Sequence, residues 1–274
     1  PHRIKSSSKR QMIRRQKDQD SRPAKMAQTF FSLDAETKQP LCFTTASSAR
    51  TSTQATPELL SLVSSILKPN GSRPLVLADN EHYSLELFEW ISSRSCFDLL
   101  VPMPYNSLVR RAMGRLPSEA FTRHWAGYAT AKQSYAMVGS RGGSYFQFIQ
   151  RKGERQQDYD FKAFLCTRDR DEMEDLSLNY PQRWHIEEFF KNDQALGWHR
   201  ACTMNLNIRY GQMTMALVAQ AACFMMRQRF GSPIDQWDAP HLAKDFFKGL
   251  EGDIRVQRDT IVVTYYNAPN SDLM

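Results

Sequence analysis

Two strand-like runs, then a helix, a strand, a second helix and another strand predict a mixed α/β fold built around one sheet. The composition agrees: 41% hydrophobic and 24% charged residues over 274 positions suit a packed globular chain and exclude a disordered one. The longest nearly apolar stretch, 213–226, is broken by Thr214 and Gln220 and is too short to cross a bilayer, so no membrane partner is expected. The basic, polar start has no apolar core and does not read as a secretory signal.

Residues 29–33 (Thr-Phe-Phe-Ser-Leu) and 41–45 (Leu-Cys-Phe-Thr-Thr) read as a hairpin around a polar turn, 34–40. Nothing upstream of Thr29 has a strand pattern. Thr56, followed by Pro57, reads as the N-cap of a helix running to about Leu67. Residues 74–79 form an apolar strand ending on Asp79. Ser84 can cap the next helix, and 97–101 is a further strand. Beyond a mixed, basic stretch, 145–149 and 161–166 read as strands. A helix is expected after Asn179, a long one over about 209–229, and a hairpin from 254–256 and 260–265. The methionines of the long helix, Met213, Met215, Met225 and Met226, read as core.

The five cysteines (42, 96, 166, 202, 223) include no CxxC-like pair, and the six histidines are scattered. That argues against a disulfide scaffold and a zinc site and fits a reducing compartment. The net charge of +7 belongs to the first 25 residues, which hold nine Lys/Arg against Asp18 and Asp20. Lys9, Arg10, Arg14 and Arg15 are the candidate phosphate contacts of this arm; a solvated basic tail is the plainer alternative.

The segment 180–190, Tyr-Pro-Gln-Arg-Trp-His-Ile-Glu-Glu-Phe-Phe, carries the most chemistry. At about 100° per residue, Arg183, Glu187, Lys191 and Gln194 share one helical stripe. Arg and Glu four apart also make an ordinary intrahelical pair. Pro181 is expected to hold Tyr180 out of helical geometry. Trp184, Phe189 and Phe190 read as core contacts seating this helix.

Tyr180, Arg183 and Glu187 resemble, in type and spacing, the Tyr-x2-Arg-x3-Glu-x6-Lys signature of insertion-sequence transposases of the DDE class. Gln194 stands where the closing lysine belongs, with Lys191 one turn earlier. The run from Leu75 to Asp79, followed by Tyr83 and Ser84, resembles that family's second acidic motif, although Asn80 and Glu81 replace its Arg-Gly. The resemblance implies a ribonuclease H-like mixed sheet flanked by helices, with a β-rich insertion before the glutamate helix. It divides the chain into a basic arm (1–28), a first part of the catalytic core (29–104), the insertion (105–178), the glutamate-bearing helical part (179–231) and a C-terminal segment (232–274).

It further implies Asp79 and Glu187 as catalytic ligands of Mg²⁺ or Mn²⁺, with Tyr180, Arg183 and Lys191 in support. Double-stranded DNA, as transposon ends and target, is the implied partner. A homodimer in a synaptic complex and a cytoplasmic, nucleoid-associated location are family expectations. The class needs a third carboxylate in its opening strand; Asp34 is the internal substitute, in a run with turn composition. By strand order the opening strand would precede Pro1, so a fragment or truncated frame is expected. The rival is a non-catalytic DNA-binding protein derived from a transposase.

Overall fold

The computed structural model describes residues 2–5, 13–14, 24–47, 50–140, 143–195 and 205–267. They fall into two compact units, Pro1–Ile186 and Glu187–Met274.

The first unit opens with β1 (His2–Lys5), β2 (Ile13–Arg14), β3 (Ala24–Leu33) and β4 (Pro40–Ser47). β1, β2 and β4 all pair antiparallel with β3. The hairpin of 29–45 is present, but strands also lie upstream of Thr29. Their sequence lacks apolar alternation; ladder hydrogen bonds to β3 form them, and backbone pairing does not require an apolar pattern.

Helix α1 (Ser52–Leu67) starts four residues before the Thr56 expected to cap it. Thr51 is the N-cap: its hydroxyl accepts from the Gln54 N–H at 3.3 Å, and Gln54 Oε1 accepts from the Thr51 N–H at 3.0 Å. That reciprocal pair satisfies two end groups, which Thr56 does not match. Thr56 is buried, and its hydroxyl donates to the Ser52 carbonyl at 2.8 Å.

β5 (Leu75–Leu77) and β6 (Asp98–Pro102) are parallel and joined through α2 (Leu85–Arg94). After α3 (Ser107–Gly114) come β7 (Thr122–Trp125), β8 (Tyr128–Tyr135), β9 (Tyr145–Lys152) and β10 (Asp160–Cys166). One six-stranded mixed sheet results, in the order β5-β6-β10-β9-β8-β7. The strands between 105 and 178 therefore extend the sheet that carries Asp79.

The sheet has two unlike faces, because alternate residues point to opposite sides. Leu99, Val101, Ala163, Leu165, Ile149 and Ala131 pack with Leu60 and Val63 of α1, Phe88 and Ile91 of α2 and Met113 of α3. On the other face Leu100, Phe148, Phe164 and Cys166 form a smaller cluster with Leu176, with Leu75, Leu77 and Tyr180 against it. β6 is covered on both faces, so its sequence is continuously apolar after Asp98.

Helical turns begin at α4 (Glu172–Glu174), earlier than expected, with Asp171 accepting from the Glu174 N–H at 2.9 Å. A π-helical turn (Asp175–Asn179) and a 3₁₀ turn (Tyr180–Trp184) lead into α5 (His185–Ala195). Tyr180 is helical after all, at φ −62° and ψ −35°. The change from π to 3₁₀ geometry around Pro181 avoids the clash its ring would make in an unbroken α-helix.

The second unit holds most of α5, then α6 (Leu206–Phe230), α7 (Ala239–His241) and the hairpin β11 (Glu251–Gln257) and β12 (Thr260–Asn267). Ile234, Leu242 and Phe246 form its small core with Cys223, Met226, Phe230 and Trp237. Only part of the methionine reading holds: Met213 is buried and Met226 packs on this core, whereas Met215 and Met225 are exposed. Met215 lies about 200° round the helix from Met213, on the opposite side.

Candidate active site

Asp79 is positioned by the parallel pairing of β5. The Ala78 N–H donates to the Leu100 carbonyl at 3.2 Å, so the strand stays in register up to the carboxylate. In open α/β sheets the carboxyl ends of parallel strands are where ligands bind. Asp79 Oδ1 accepts from the Glu81 N–H at 3.1 Å and lies 2.9 Å from His82 Nδ1. Burial pushes the carboxyl up, but the hydrogen bond and attraction of His82, with the Glu81 N–H, outweigh it and hold Asp79 below the usual carboxylate range. Oδ2 has no hydrogen-bond partner among the described residues.

Tyr180 reaches this strand end through a clamp on the preceding turns. Asp98, 3% exposed at the start of β6, takes Arg73 Nε at 2.8 Å and Arg170 at 3.4 Å. Arg170 also donates to Asp175 at 2.9 Å, and Asn179 donates to the same carboxylate at 2.8 Å. With Leu176 in the sheet cluster, this places the Tyr180 ring edge-on to Phe164, centroids 4.7 Å apart. The Tyr180 hydroxyl donates to the Ala78 carbonyl at 3.4 Å. Burial pushes that hydroxyl up to about 12; the nearby Arg183 guanidinium opposes the rise, and the charge of Asp79 adds to it. Asp79, Tyr180 and Arg183 are thus neighbours within the first unit.

Glu187 and Lys191 lie one turn apart on α5, in the second unit; Glu187 is half-buried and Lys191 exposed. Arg183 precedes α5, in the 3₁₀ turn of the first unit. Trp184 is 52% exposed and not a core contact, whereas Phe189 is buried. Asp34 closes the β3–β4 turn: its Oδ2 accepts from the Thr37 N–H at 3.1 Å and the Thr37 hydroxyl at 2.5 Å. Lys9, Arg10 and Arg15 lie outside the described residues, and Arg14 is described as backbone in β2.

Three neighbours of the site were not legible in sequence. His82 looked like one of several scattered histidines. Arg170 sits in a charged run with no periodicity. Lys162 is a polar position on β10, and only the register of β10 puts it on the face of Tyr180. At the opposite edge of the sheet Trp125 stacks on Tyr128, rings 4.2 Å apart and 6° from parallel, and stays 47% exposed. A cavity of about 320 Å³ beside it is lined by Arg123, Tyr128, Arg151 and Tyr159.

Residues 5–221 match the family described as "Transposase DDE domain". The chain belongs to that family. A search of curated proteins finds no match. Among solved structures the chain is similar to a piggyBac transposase in a synaptic complex with hairpin DNA, at 11% identity and a TM-score of 0.44. That likeness covers 74% of this chain and 41% of the other, so the chain spans less than half the length of that protein.

DDE transposases normally use divalent metals. The donor chemistry of Asp79 suits such an ion, since Mg²⁺ and Mn²⁺ prefer carboxylate oxygen. One carboxylate is not a site, however, and among the described residues there is no group of three or more His, Cys, Asp or Glu side chains able to hold an ion. No described helix is long and apolar enough to cross a membrane.

Proposed function

We propose that this DDE-family chain carries out metal-dependent cleavage at transposon ends and strand transfer into target DNA, with Asp79 and Glu187 as the metal-binding carboxylates. The observation that carries this reading is the docking of Tyr180 and Arg183 beside Asp79 across about a hundred residues of chain. A bound Mg²⁺ or Mn²⁺ would supply Lewis-acid chemistry to a phosphodiester. The chain's own part is to hold Asp79 ionised and fixed in place. His82 and the Glu81 N–H do this by engaging Oδ1, which leaves Oδ2 without a hydrogen-bond partner among the described residues. Arg183 suits a phosphate oxygen, and Tyr180 packs the strand end against water. Asp34 is the candidate for the third acid and would have to give up Thr37 to serve. Lys191 and the arm residues Lys9, Arg10, Arg14 and Arg15 would add contacts to the DNA backbone. A homodimeric synapse is part of the same reading.

The test is calorimetric titration with Mn²⁺ of the wild type and of the Asp79→Ala and Glu187→Ala variants. Specific binding lost in both supports the reading. Absent binding, or binding indifferent to both changes, overturns it. A second reading, a DNA-binding relative without chemistry, is favoured by one observation: the bonds of Asp79 to Glu81 and His82 are also those of an ordinary turn cap. The same titration separates the two.

A further inference from the structure

We propose that Lys162 binds a phosphate of nucleic acid held at the Asp79 site. The inference rests on the reading above for its ligand, but its observations are separate. In the register of β10 and β9, Lys162 stands opposite Gln150, and Lys152 stands opposite Asp160, two positions further along. Both lysines therefore lie on the sheet face of Phe164, away from the main core. The Lys162 ammonium sits 5.1 Å from the Phe164 ring centre and 5.8 Å from that of Tyr180. The same Tyr180 touches the Ala78 carbonyl, so Lys162 stands one aromatic ring away from the strand end that carries Asp79.

Like charge gathers here. Burial pulls the Lys162 ammonium down, Lys152 and Arg183 repel it further, and Asp160 offsets them only in part. No carboxylate lies within ion-pair distance of Lys162 among the described residues. Yet the side chain is exposed and open to a ligand. A compact ammonium held over two ring faces, with two further cations nearby, suits a doubly liganded phosphodiester better than a point contact in water. Such an anion would relieve the repulsion among Lys152, Lys162 and Arg183 as it bound.

The test measures affinity for a DNA duplex against salt, without metal, for the wild type and for Lys162→Gln, Lys162→Arg and Lys68→Gln. Loss of one phosphate contact lowers the log–log salt slope by about 0.9 and weakens binding roughly eightfold near 0.1 M salt. Lys162→Gln is expected to show both changes, Lys162→Arg to restore them, and Lys68→Gln, which removes a charge at the exposed end of α1, to show neither. Equal effects of the two Gln variants, no effect of Lys162→Gln, or no salt-dependent binding by the wild type overturns the inference. Mn²⁺ titration of the same proteins and of Asp79→Ala keeps the two claims apart. A phosphate site without Mn²⁺ binding sinks the catalytic reading alone. Mn²⁺ binding that depends on Asp79, with Lys162→Gln neutral toward DNA, sinks the lysine alone.

Discussion

The Tyr180 hydroxyl donates to the Ala78 carbonyl, joining positions 102 residues apart in sequence at 3.4 Å. Ala78 is the last residue before Asp79, so the contact ties the segment leading to Glu187 to the end of β5. The ring also packs on Phe164, which makes Tyr180 a partner of β5 and β10 together.

Replacing Tyr180 by Phe keeps the ring and removes the bond. The expected loss is about 1 kcal/mol, the usual net worth of one hydrogen bond. The pH dependence is more telling. Burial holds the folded-state hydroxyl at about 12, above the ordinary 10. The folded chain therefore keeps its proton where the unfolded chain has lost it. That contribution is fully present below pH 10 and is lost as pH rises toward 12. Urea unfolding at several alkaline pH values should show a shallower decline for Tyr180→Phe than for the wild type.

Arg170 is the bridge between β6 and the turns before Tyr180. It serves Asp98 and Asp175, whose side chains are 5% and 2% exposed. Arg170→Met leaves Asp175 without a cation. Asp98 keeps Arg73 and Arg168, whereas Asp175 keeps only the Asn179 amide among the described residues. Removing one partner of a buried pair costs about 3–5 kcal/mol. The variant is expected to fall in that range by urea unfolding, and a loss under about 1 kcal/mol would show that the clamp does not hold the segment.

Much of the fold was legible because local signals and tertiary need agreed. The apolar run before Asp79, the 29–45 hairpin, the C-terminal hairpin and the long helix α6 all follow their sequence periods. β7 and β8 were not legible: Thr122, Arg123 and Trp125 are exposed, and the buried positions of β8 are the consecutive Tyr128, Ala129, Thr130 and Ala131, without apolar alternation. β1 and β2 depend on ladder bonds to β3. Asp79 and Tyr180 were singled out by the family resemblance, but His82 and Lys162 become neighbours of the site only through a turn and a strand register. Sequence gives periods and caps, and neither encodes which lysine of a strand faces which ring.

The start of α1 offers a direct comparison. Thr51→Ala removes the hydroxyl half of a capping box and is expected to cost about 1 kcal/mol. Thr56→Val keeps shape and burial and removes a bond to the Ser52 carbonyl within the helix, which is not an end group. A smaller loss is expected there. Paired thermal unfolding of the two variants checks the order; the reverse order would move the helix start to Thr56.

Two glycines separate backbone conformation from crowding. Gly71, at φ +77°, has nothing within 4 Å of where a Cβ would stand, so Gly71→Ala meets only the conformational cost, about 1–2 kcal/mol. Gly153, between β9 and β10, has φ +116°, and a Cβ there would lie 2.5 Å from the Asp158 carbonyl oxygen. Its N–H donates to the Gly127 carbonyl at 2.9 Å, linking this turn to the one between β7 and β8. Neither backbone can retreat without loosening the sheet edge beside Trp125. Gly153→Ala should therefore exceed Gly71→Ala by at least about 1 kcal/mol in urea unfolding, since strained backbone alone is worth about 1–3 kcal/mol and the clash adds to it. Equal losses would mean that the turn opens freely, and the close approach of the two turns would then contribute nothing to the sheet.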